Sequence, residues 1–223
     1  MTSLPKKIYR ADVNRAYSHY LADRSFVASS LLAIFLLLTS LVINFYAGVY
    51  ATEKASNAVT DIILSNTRVF DVDGAFVYGP MIFWAIIGVL CLKTPQRIPY
   101  TAKSIALFVL IRSLFITLTH IGPFPTHLAI HSSVMERFSP GADLFFSGHV
   151  GSAFLVALIF WDHPRIRLFA LGASVVFAAV VLLAHLHYSI DVLSAFFITY
   201  SIYRLAEFFF KKDRRLFAAG LER

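Results

Sequence analysis

Residues 26–49 read FVASSLLAIFLLLTSLVINFYAGV, and no charged side chain interrupts them. A helix needs about 20 mostly apolar residues to cross the hydrocarbon core of a bilayer. A signal peptide would have a shorter apolar core followed by a small-residue cleavage site. The run, which lies behind 25 largely hydrophilic residues, therefore predicts a permanent transmembrane helix.

Five further apolar runs follow along the chain, at residues 75–92, 104–121, 144–161, 168–183 and 190–210. The composition agrees with them, since 58% of the residues are hydrophobic and 15% are charged. A soluble domain is about half apolar and about one quarter charged, so a soluble enzyme and a disordered chain are both excluded. The sequence predicts an all-α integral membrane protein. Its domains are a basic N-terminal segment (1–25), a six-helix transmembrane bundle (26–210) and a basic tail (211–223).

The lysine and arginine residues divide unevenly between the two sides that six spans would create. Of the 20, 15 lie in the terminal segments and the second and fourth loops, 3 lie in the odd-numbered loops, and 2 lie within spans. Cytoplasmic loops carry the excess of such residues. Both termini are therefore predicted to be cytoplasmic, with the odd-numbered loops on the periplasmic, extracellular or lumenal side. Because topology accounts for the net charge of +7, that charge does not indicate a nucleic-acid partner.

The first candidate motif opens the fourth predicted span, where residues 141–149 read GADLFFSGH. A glycine such as Gly148 lets the backbone approach a ligand closely. The free N–H groups at a helix N-terminus suit an anion, and His149 would stand at the rim of such a site. The alternative interpretation is an ordinary N-cap at Ser147 followed by an interfacial histidine.

The second candidate motif opens the sixth span, where residues 185–191 read HLHYSID. His187 and Asp191 are four residues apart, so on a helix they would share a face. A carboxylate beside an imidazole fixes its tautomer and stabilises its positive form, which is how a histidine becomes an oriented nucleophile or base. An ordinary interfacial pair is the alternative, although an acid at the start of an apolar span is costly. The order of the spans brings both motifs to the same non-cytoplasmic end.

Arg112 is predicted to lie about midway along the third span. An arginine at that depth should face the bundle interior and meet an anionic partner. Its guanidinium fork matches phosphate oxygens. The alternative is a structural ion pair, with Asp191 or Glu207 as the partner.

Three acids in the outer loops, Asp61, Asp71 and Asp73, are candidates for a different role. The last two precede Gly74, but a single Asp-x-Asp-Gly is a weak sign of a cation site. The chain has neither a Cys/His zinc pattern nor an HExxH motif, and its single cysteine, Cys91, excludes an intrachain disulfide. The sequence therefore predicts no metal site and solvated carboxylates in these loops.

Taken together, the motifs resemble the phosphatidic acid phosphatase type 2 superfamily of lipid phosphatases and phosphotransferases. The resemblance is closer to its sphingomyelin synthase branch, whose third and fourth motifs resemble residues 143–149 and 184–192. Residues 112–117 resemble the second motif, and the residues around Asp61 resemble the first motif more weakly. Val181 stands where the wider superfamily usually has an arginine, and the wider superfamily's Lys…Arg-Pro motif is not visible; both departures are typical of the branch. The resemblance covers about residues 26–210.

The resemblance implies a six-helix core of the phosphatidic acid phosphatase type 2 kind and a transfer reaction without a cofactor. A phospholipid would donate its phospho-headgroup to a lipid alcohol such as ceramide or diacylglycerol through a phosphohistidine. The implied catalytic residues are His149, His187 and Asp191, and the implied phosphate-binding residues are Arg112, Ser147 and Gly148. Substrate-contacting or orienting roles would fall to Asp143, His185, Tyr188 and Asp61.

Two other readings of the same residues stay open. If water is the acceptor, the enzyme is a lipid phosphate phosphatase or a phospholipase C-like hydrolase. A non-enzymatic transporter is the other class, and it would predict broken helices and inverted repeats. A CDP-alcohol phosphotransferase would need a run of metal-binding acids on its helices, which this chain does not have.

Overall fold

The structure is a computed structural model that describes residues 17–128 and 145–220. Throughout these ranges the regular secondary structure is helical. The principal helices are α1 (Arg24–Glu53), α2 (Asp73–Lys93), α3 (Ile98–Leu118), α4 (Gly148–Ile159), α5 (Pro164–Leu183), α6 (Ser189–Phe209) and α7 (Lys211–Ala219). Short 3₁₀ helices lie at Leu64–Asn66 and Pro95–Arg97.

Five of these helices are long and apolar enough to cross a membrane: α1, α2, α3 with the 3₁₀ turn before it, α5 and α6. At about 1.5 Å per residue, helices of this length match a hydrocarbon core about 30 Å thick. Large apolar side chains such as Phe35 (64% exposed) and Val175 (64% exposed) point away from the protein, as lipid-facing residues do. The chain is therefore a multi-pass membrane protein.

The fourth apolar run differs from its prediction. The run was expected to span residues 144–161, but α4 contains only the 12 residues Gly148–Ile159, or about 18 Å of helix. Most of α4 is buried, and Leu155 and Val156 are 0% exposed. An apolar helix of about 10–14 residues is more typical of a protein core than of a lipid-facing span. The apolar character of α4 thus reflects contact with its neighbouring helices, and a sixth span stays a prediction.

Close packing around α4 depends on Gly151. A Cβ atom at this position would lie 2.7 Å from Thr199 Oγ1 on α6 and 2.9 Å from the Phe108 ring on α3. Any side chain at position 151 would therefore push α4 away from both helices. Because α4 sits between α3, α5 and α6, its N-terminal turn is held at a fixed position relative to the ends of these helices.

His120, His185 and His187 lie in loops at one end of the bundle, and His149 lies in the first turn of α4 at the same end; we call it the histidine end. The loop after α1 joins the end of α3 through a backbone hydrogen bond from Ser56 to the His120 carbonyl, at 2.9 Å. The segment before α2 contacts the end of α5, where Phe70 N–H donates to the Leu183 carbonyl at 2.9 Å. Both contacts link loops that the span order predicts on one side.

The other end, which we call the basic end, is closed by α7. Asp213 on α7 accepts hydrogen bonds from Lys103 Nζ at 2.7 Å and from Ser29 Oγ at 2.5 Å. Phe217 packs against Tyr100 and Phe160. Lys103 was expected in the second loop, but it lies within α3 and is 6% exposed, because α3 begins six residues before the predicted span. The first nine residues of the predicted tail therefore form a helix that packs on the bundle.

Candidate active site

The N-terminus of α6 holds the His187–Asp191 pair. Asp191 is 0% exposed and lies in the first turn of the helix. Its Oδ2 accepts a hydrogen bond from Tyr188 N–H at 2.9 Å and lies 3.5 Å from Nδ1 of His187. The two residues were expected to share a helix face, but His187 precedes the helix, which begins at Ser189. The pair instead forms around the N-terminus of α6, because the Asp191 side chain turns back toward the residues before it.

A tight turn at the end of α5 carries His187 to this position. Leu186 N–H donates to the Val181 carbonyl at 2.9 Å and His185 N–H donates to the Leu182 carbonyl at 3.0 Å, which is the Schellman pattern. His185 has a φ of 53°, a left-handed conformation that glycine usually supplies. Its buried imidazole Nδ1 lies 2.7 Å from Thr126 Oγ1. His185 therefore shapes the turn before His187 and ties it to the loop after α3.

The N-terminus of α4 meets that of α6 through Ser147. Ser147 N–H donates to the Asp191 carbonyl at 3.3 Å. Ser147 occupies the N-cap position of α4, as the alternative interpretation expected, but its side chain makes no capping hydrogen bond. The buried Ser147 Oγ has no hydrogen-bond partner within the described residues. The Ser147 hydroxyl is therefore a polar group at this end of α4 that can still form a hydrogen bond.

Arg112 packs against the same turn of α4. It is 7% exposed, and its Nε donates to the Phe146 carbonyl at 3.1 Å while Nη1 donates to Asn44 Oδ1 at 3.3 Å. A Cβ atom at Gly148 would lie 2.9 Å from Nε of Arg112. A glycine at position 148 is thus what lets the guanidinium approach the first turn of α4.

The depth and surroundings of Arg112 differ from expectation in two ways. Arg112 lies six residues from the C-terminal end of α3, or about 9 Å along the axis, and not at the middle of the span. Glu207, one expected ion-pair partner, lies at the opposite end of α6 and contacts Arg204 and Arg214. Sequence reasoning missed Asn44 as a partner of Arg112; an amide inside the apolar run 26–49 was the available signal.

His149 lies in the first turn of α4, next to Gly148. Its half-buried ring lies 4.5 Å from the Phe76 ring of α2 and 6.3 Å from the Phe177 ring of α5, measured between centroids. The two aromatic rings hold the imidazole at the histidine end of α4.

Asp61 and Tyr188 fasten the outer loops to α6. Asp61 Oδ2 accepts from both the N–H and the Oγ of Ser189 at 2.7 Å, and its Oδ1 accepts from Ile63 and Leu64 N–H at 2.9 and 3.1 Å. The Tyr188 hydroxyl donates to the Gly122 carbonyl at 2.8 Å and accepts from Val59 N–H at 3.2 Å. Both side chains are buried and contact protein groups, so the prediction of a solvated carboxylate at Asp61 is wrong.

The hydrogen bonds of Asp61 predict a specific dependence of stability on pH. Burial by itself would raise the pKa of Asp61, but the four hydrogen bonds to its charged form lower that pKa below its ordinary value. A lowered folded-state pKa adds stability that is fully present above the ordinary Asp pKa of about 3.9 and is lost as the pH falls through the folded value. We expect the melting temperature to fall more steeply on acidification in the wild-type chain than in Asp61→Asn. Parallel curves from pH 6 to pH 2 would contradict this coupling.

The structure thus brings several candidate residues into one network. Arg112 packs on Gly148, the first residue of α4. Ser147, the residue before it, contacts Asp191 of the His187–Asp191 pair. His149 is the next residue of α4 after Gly148. Three candidates, His185, Tyr188 and Asp61, lie behind the pair in the loops. The remaining one, Asp143, lies outside the described residues. Among the described residues, no group of three or more His, Cys, Asp or Glu side chains has the arrangement of a metal site.

Unpaired polar atoms mark the centre of this network. Ser147 Oγ, His187 Nδ1 and Asp191 Oδ1 are buried and have no hydrogen-bond partner within the described residues, although His187 Nδ1 lies 3.5 Å from Asp191 Oδ2. Buried polar groups are nearly always hydrogen-bonded in folded proteins. The Ser147 hydroxyl can donate to an anionic oxygen beside the buried Arg112 and the α4 N-terminus, whereas Asp191 Oδ1, a carboxylate oxygen, accepts only from a donor such as a hydroxyl group.

Part of the chain is similar to a known protein family. Residues 141–208 match the family model described as PAP2 superfamily C-terminal, where PAP2 stands for phosphatidic acid phosphatase type 2. The matched region contains Ser147, Gly148, His149, His187 and Asp191, and it leaves out Arg112. No curated protein and no solved structure shows a significant similarity to the chain. The PAP2 superfamily generally comprises phosphatases and phosphotransferases, and residues 141–208 of this chain are similar to its C-terminal family model.

Proposed function

We propose that the chain is a membrane lipid phosphotransferase of the sphingomyelin synthase-like kind. It would move a phospho-headgroup from a phospholipid to a lipid alcohol such as ceramide or diacylglycerol. The observation that carries the proposal is the buried His187–Asp191 pair, which Ser147 connects to the first turn of α4 beside Arg112. A histidine beside a carboxylate, next to a buried arginine and a serine hydroxyl, has the chemistry of phosphoryl transfer.

The first step transfers the phospho-headgroup from the donor lipid to His187. Nδ1 of His187 faces Asp191, so its Nε2 is the nitrogen that attacks phosphorus and forms the P–N bond. The bond between phosphorus and the leaving lipid oxygen breaks, and protonated His149 donates its proton to that oxygen. The Asp191 carboxylate stabilises the positive charge that develops on His187. This step releases a lipid alcohol and leaves the phospho-headgroup on His187.

The second step regenerates the enzyme. Neutral His149 removes the proton of the acceptor hydroxyl, whose oxygen attacks phosphorus while the P–N bond breaks. Arg112, Ser147 Oγ and the N–H groups at the start of α4 would hold the non-bridging phosphate oxygens through both steps. Every proton and electron pair is supplied by protein or substrate, so the two steps balance without a further reactant.

The proposal includes a topology for the membrane. In it, the chain crosses the bilayer six times, both termini are cytoplasmic, and the site opens on the periplasmic, extracellular or lumenal side. Two observations support the sixth crossing. The residue before α4, Ser147, contacts α6 at the histidine end, whereas Asp162, three residues after α4, contacts Arg214 on α7 at the basic end. The short helix α4 thus connects the two ends within the protein core.

The test of the proposal is product analysis by mass spectrometry. Purified protein would receive a mixture of phospholipids, with or without isotope-labelled ceramide or diacylglycerol, and His187→Ala would serve as the control. We expect a labelled phospholipid that requires both the acceptor and His187, and its mass would identify the headgroup. Release of a headgroup phosphate whether or not the acceptor is present would establish water as the acceptor. Turnover that persists in His187→Ala would contradict the mechanism.

A further inference from the structure

The acidic residue of helix α7 and its exposed cationic residues lie on opposite faces. Its acidic residue, Asp213, and its aromatic residue, Phe217, are buried against the bundle. The cations Lys211, Lys212 and Arg215 are exposed on the opposite face. A short helix whose inner face is fully engaged and whose outer face is cationic presents a surface for an anionic partner.

The position of α7 indicates that this partner is in the membrane. Phe208 and Phe209, at the end of α6, are 62% and 60% exposed and lie three and two residues before Lys211, the first cation of α7. At the same end, the exposed Trp161 has the guanidinium of Arg167 over its ring, 4.8 Å from the centroid. Aromatic rings beside lysine and arginine are typical of the level at which lipid headgroups meet the hydrocarbon core. The cationic face of α7 therefore lies at headgroup height.

A cleft of about 360 Å³ separates α7 from the N-terminus of α1. Its polar lining consists of Asp23, Ser25 and Ser29 from the α1 side and of Lys212, Asp213 and Arg215 from the α7 side. A volume of this order is at the lower end of that of small-ligand sites, about 300–1,000 Å³. The cleft lies at the opposite end of the bundle from His187, so it belongs to a different site.

The acidic residues that line the cleft have partners within the described part of the protein, whereas its cationic residues form no ion pair there. Asp23 Oδ1 accepts the N–H of Phe26 at 2.7 Å and so caps α1. Asp213 is engaged by the buried Lys103 and by Ser29. Lys212 and Arg215, in contrast, take part in no ion pair within the described residues. The acids of the cleft are therefore committed to the protein, and the cations at its mouth are left for a ligand.

We propose that this cleft binds the phosphate of an anionic phospholipid from the adjacent leaflet. Lys212 and Arg215 provide the charge and the donors, and the Ser25 hydroxyl lies in the same lining. The acyl chains of the bound lipid extend over the apolar surface of the bundle, as the exposed Phe208 and Phe209 allow. This site depends on the membrane location of the chain and is independent of the reaction at the histidine end.

The experiment uses the full chain in nanodiscs of phosphatidylcholine with or without phosphatidylglycerol. Native mass spectrometry counts the phosphatidylglycerol molecules that stay bound after release from the nanodisc. The test variant is Lys212→Ser/Arg215→Ser. The matched control, Lys54→Ser/Arg68→Ser, removes the same charge from exposed positions at the histidine end. An interfacial cation contributes about 1 kcal/mol to anionic-lipid binding, so two predict an affinity loss of roughly thirty-fold in the test variant alone.

Three results would overturn the proposal: an equal loss in both double variants, no loss in the test variant, or displacement of the lipid by phosphate. An equal loss in both double variants would mean that overall charge, and not the cleft, attracts the lipid. Unchanged retention in the test variant would mean that Lys212 and Arg215 do not bind it. A third arm adds inorganic phosphate as a competitor: displacement of phosphatidylglycerol by millimolar phosphate would assign the site to the free anion, whereas retention supports the lipid.

Discussion

Replacing His187 with alanine is expected to abolish product formation, and Asp191→Asn is expected to lower turnover by roughly 10⁴-fold. His187 is the proposed site of the covalent intermediate, so no other group in the network can replace its Nε2. Asp191→Asn keeps the shape of the side chain and an oxygen that can accept from Tyr188 N–H. It removes the charge that balances the imidazolium and can favour the wrong tautomer of His187.

The intermediate gives this prediction a second readout. Wild-type protein incubated with a donor whose phosphorus is labelled should carry an acid-labile, base-stable phosphate on a peptide that contains His187. His127→Ala is the matched control, because His127 is an exposed histidine at the same end whose ring Nδ1 lies near the Phe124 carbonyl of its own loop. Full turnover in His187→Ala or in Asp191→Asn would refute the catalytic assignment, as would label at another residue.

Arg112→Lys should cost about 10²-fold or more in turnover while the protein remains folded. Loss of a single preorganised donor to a developing oxyanion costs about 10²–10³-fold in other enzymes. Lysine keeps the buried positive charge but loses the planar fork, so it cannot reach the Phe146 carbonyl, Asn44 and a phosphate together. The measurement is the steady-state rate with saturating donor, alongside the melting temperature.

Gly148→Ala tests the same contact from the other side. The added Cβ atom would lie 2.9 Å from Nε of Arg112, so the guanidinium must shift and turnover should fall although no functional group is lost. In the double variant Arg112→Lys/Gly148→Ala the two losses of turnover should not add, because both substitutions act on one contact. Arg204→Lys, at an exposed residue of the basic end, is the control. Additive losses, or an active Arg112→Lys enzyme, would separate Arg112 from phosphate binding.

The candidate catalytic segments could be predicted from the sequence because each of them is short. Ser147, Gly148 and His149 are consecutive, and His187 and Asp191 lie within one turn of each other in sequence. Span order alone predicts that the two segments meet at one end, and the contact between Ser147 and Asp191 agrees with that expectation. The geometry within the pair was less accessible, since the helix start at Ser189 depends on the loops that Asp61 and Tyr188 hold in place.

Other features depend on partners that are distant in sequence. Lys103 reads as a loop cation, yet it is buried because Asp213, 110 residues later, supplies its counter-charge. Asn44 reads as a minor interruption of an apolar run, yet it accepts a hydrogen bond from Arg112. A single sequence carries no signal for such pairs, because each partner has an ordinary role when it is considered alone.

The amino-acid sequence by itself determined that the chain is helical and membrane-embedded, and which segments carry the histidines and acids. It could do so because the length of an apolar run, the distribution of positive charge and the spacing of a motif are local quantities. Only the tertiary structure decided that α4 is a short core helix, that Gly148 makes room for Arg112, and that α7 packs against α1 and α3 beside a cationic cleft. These outcomes depend on how closely helices approach and on which buried charges meet, and both are properties of the packed bundle.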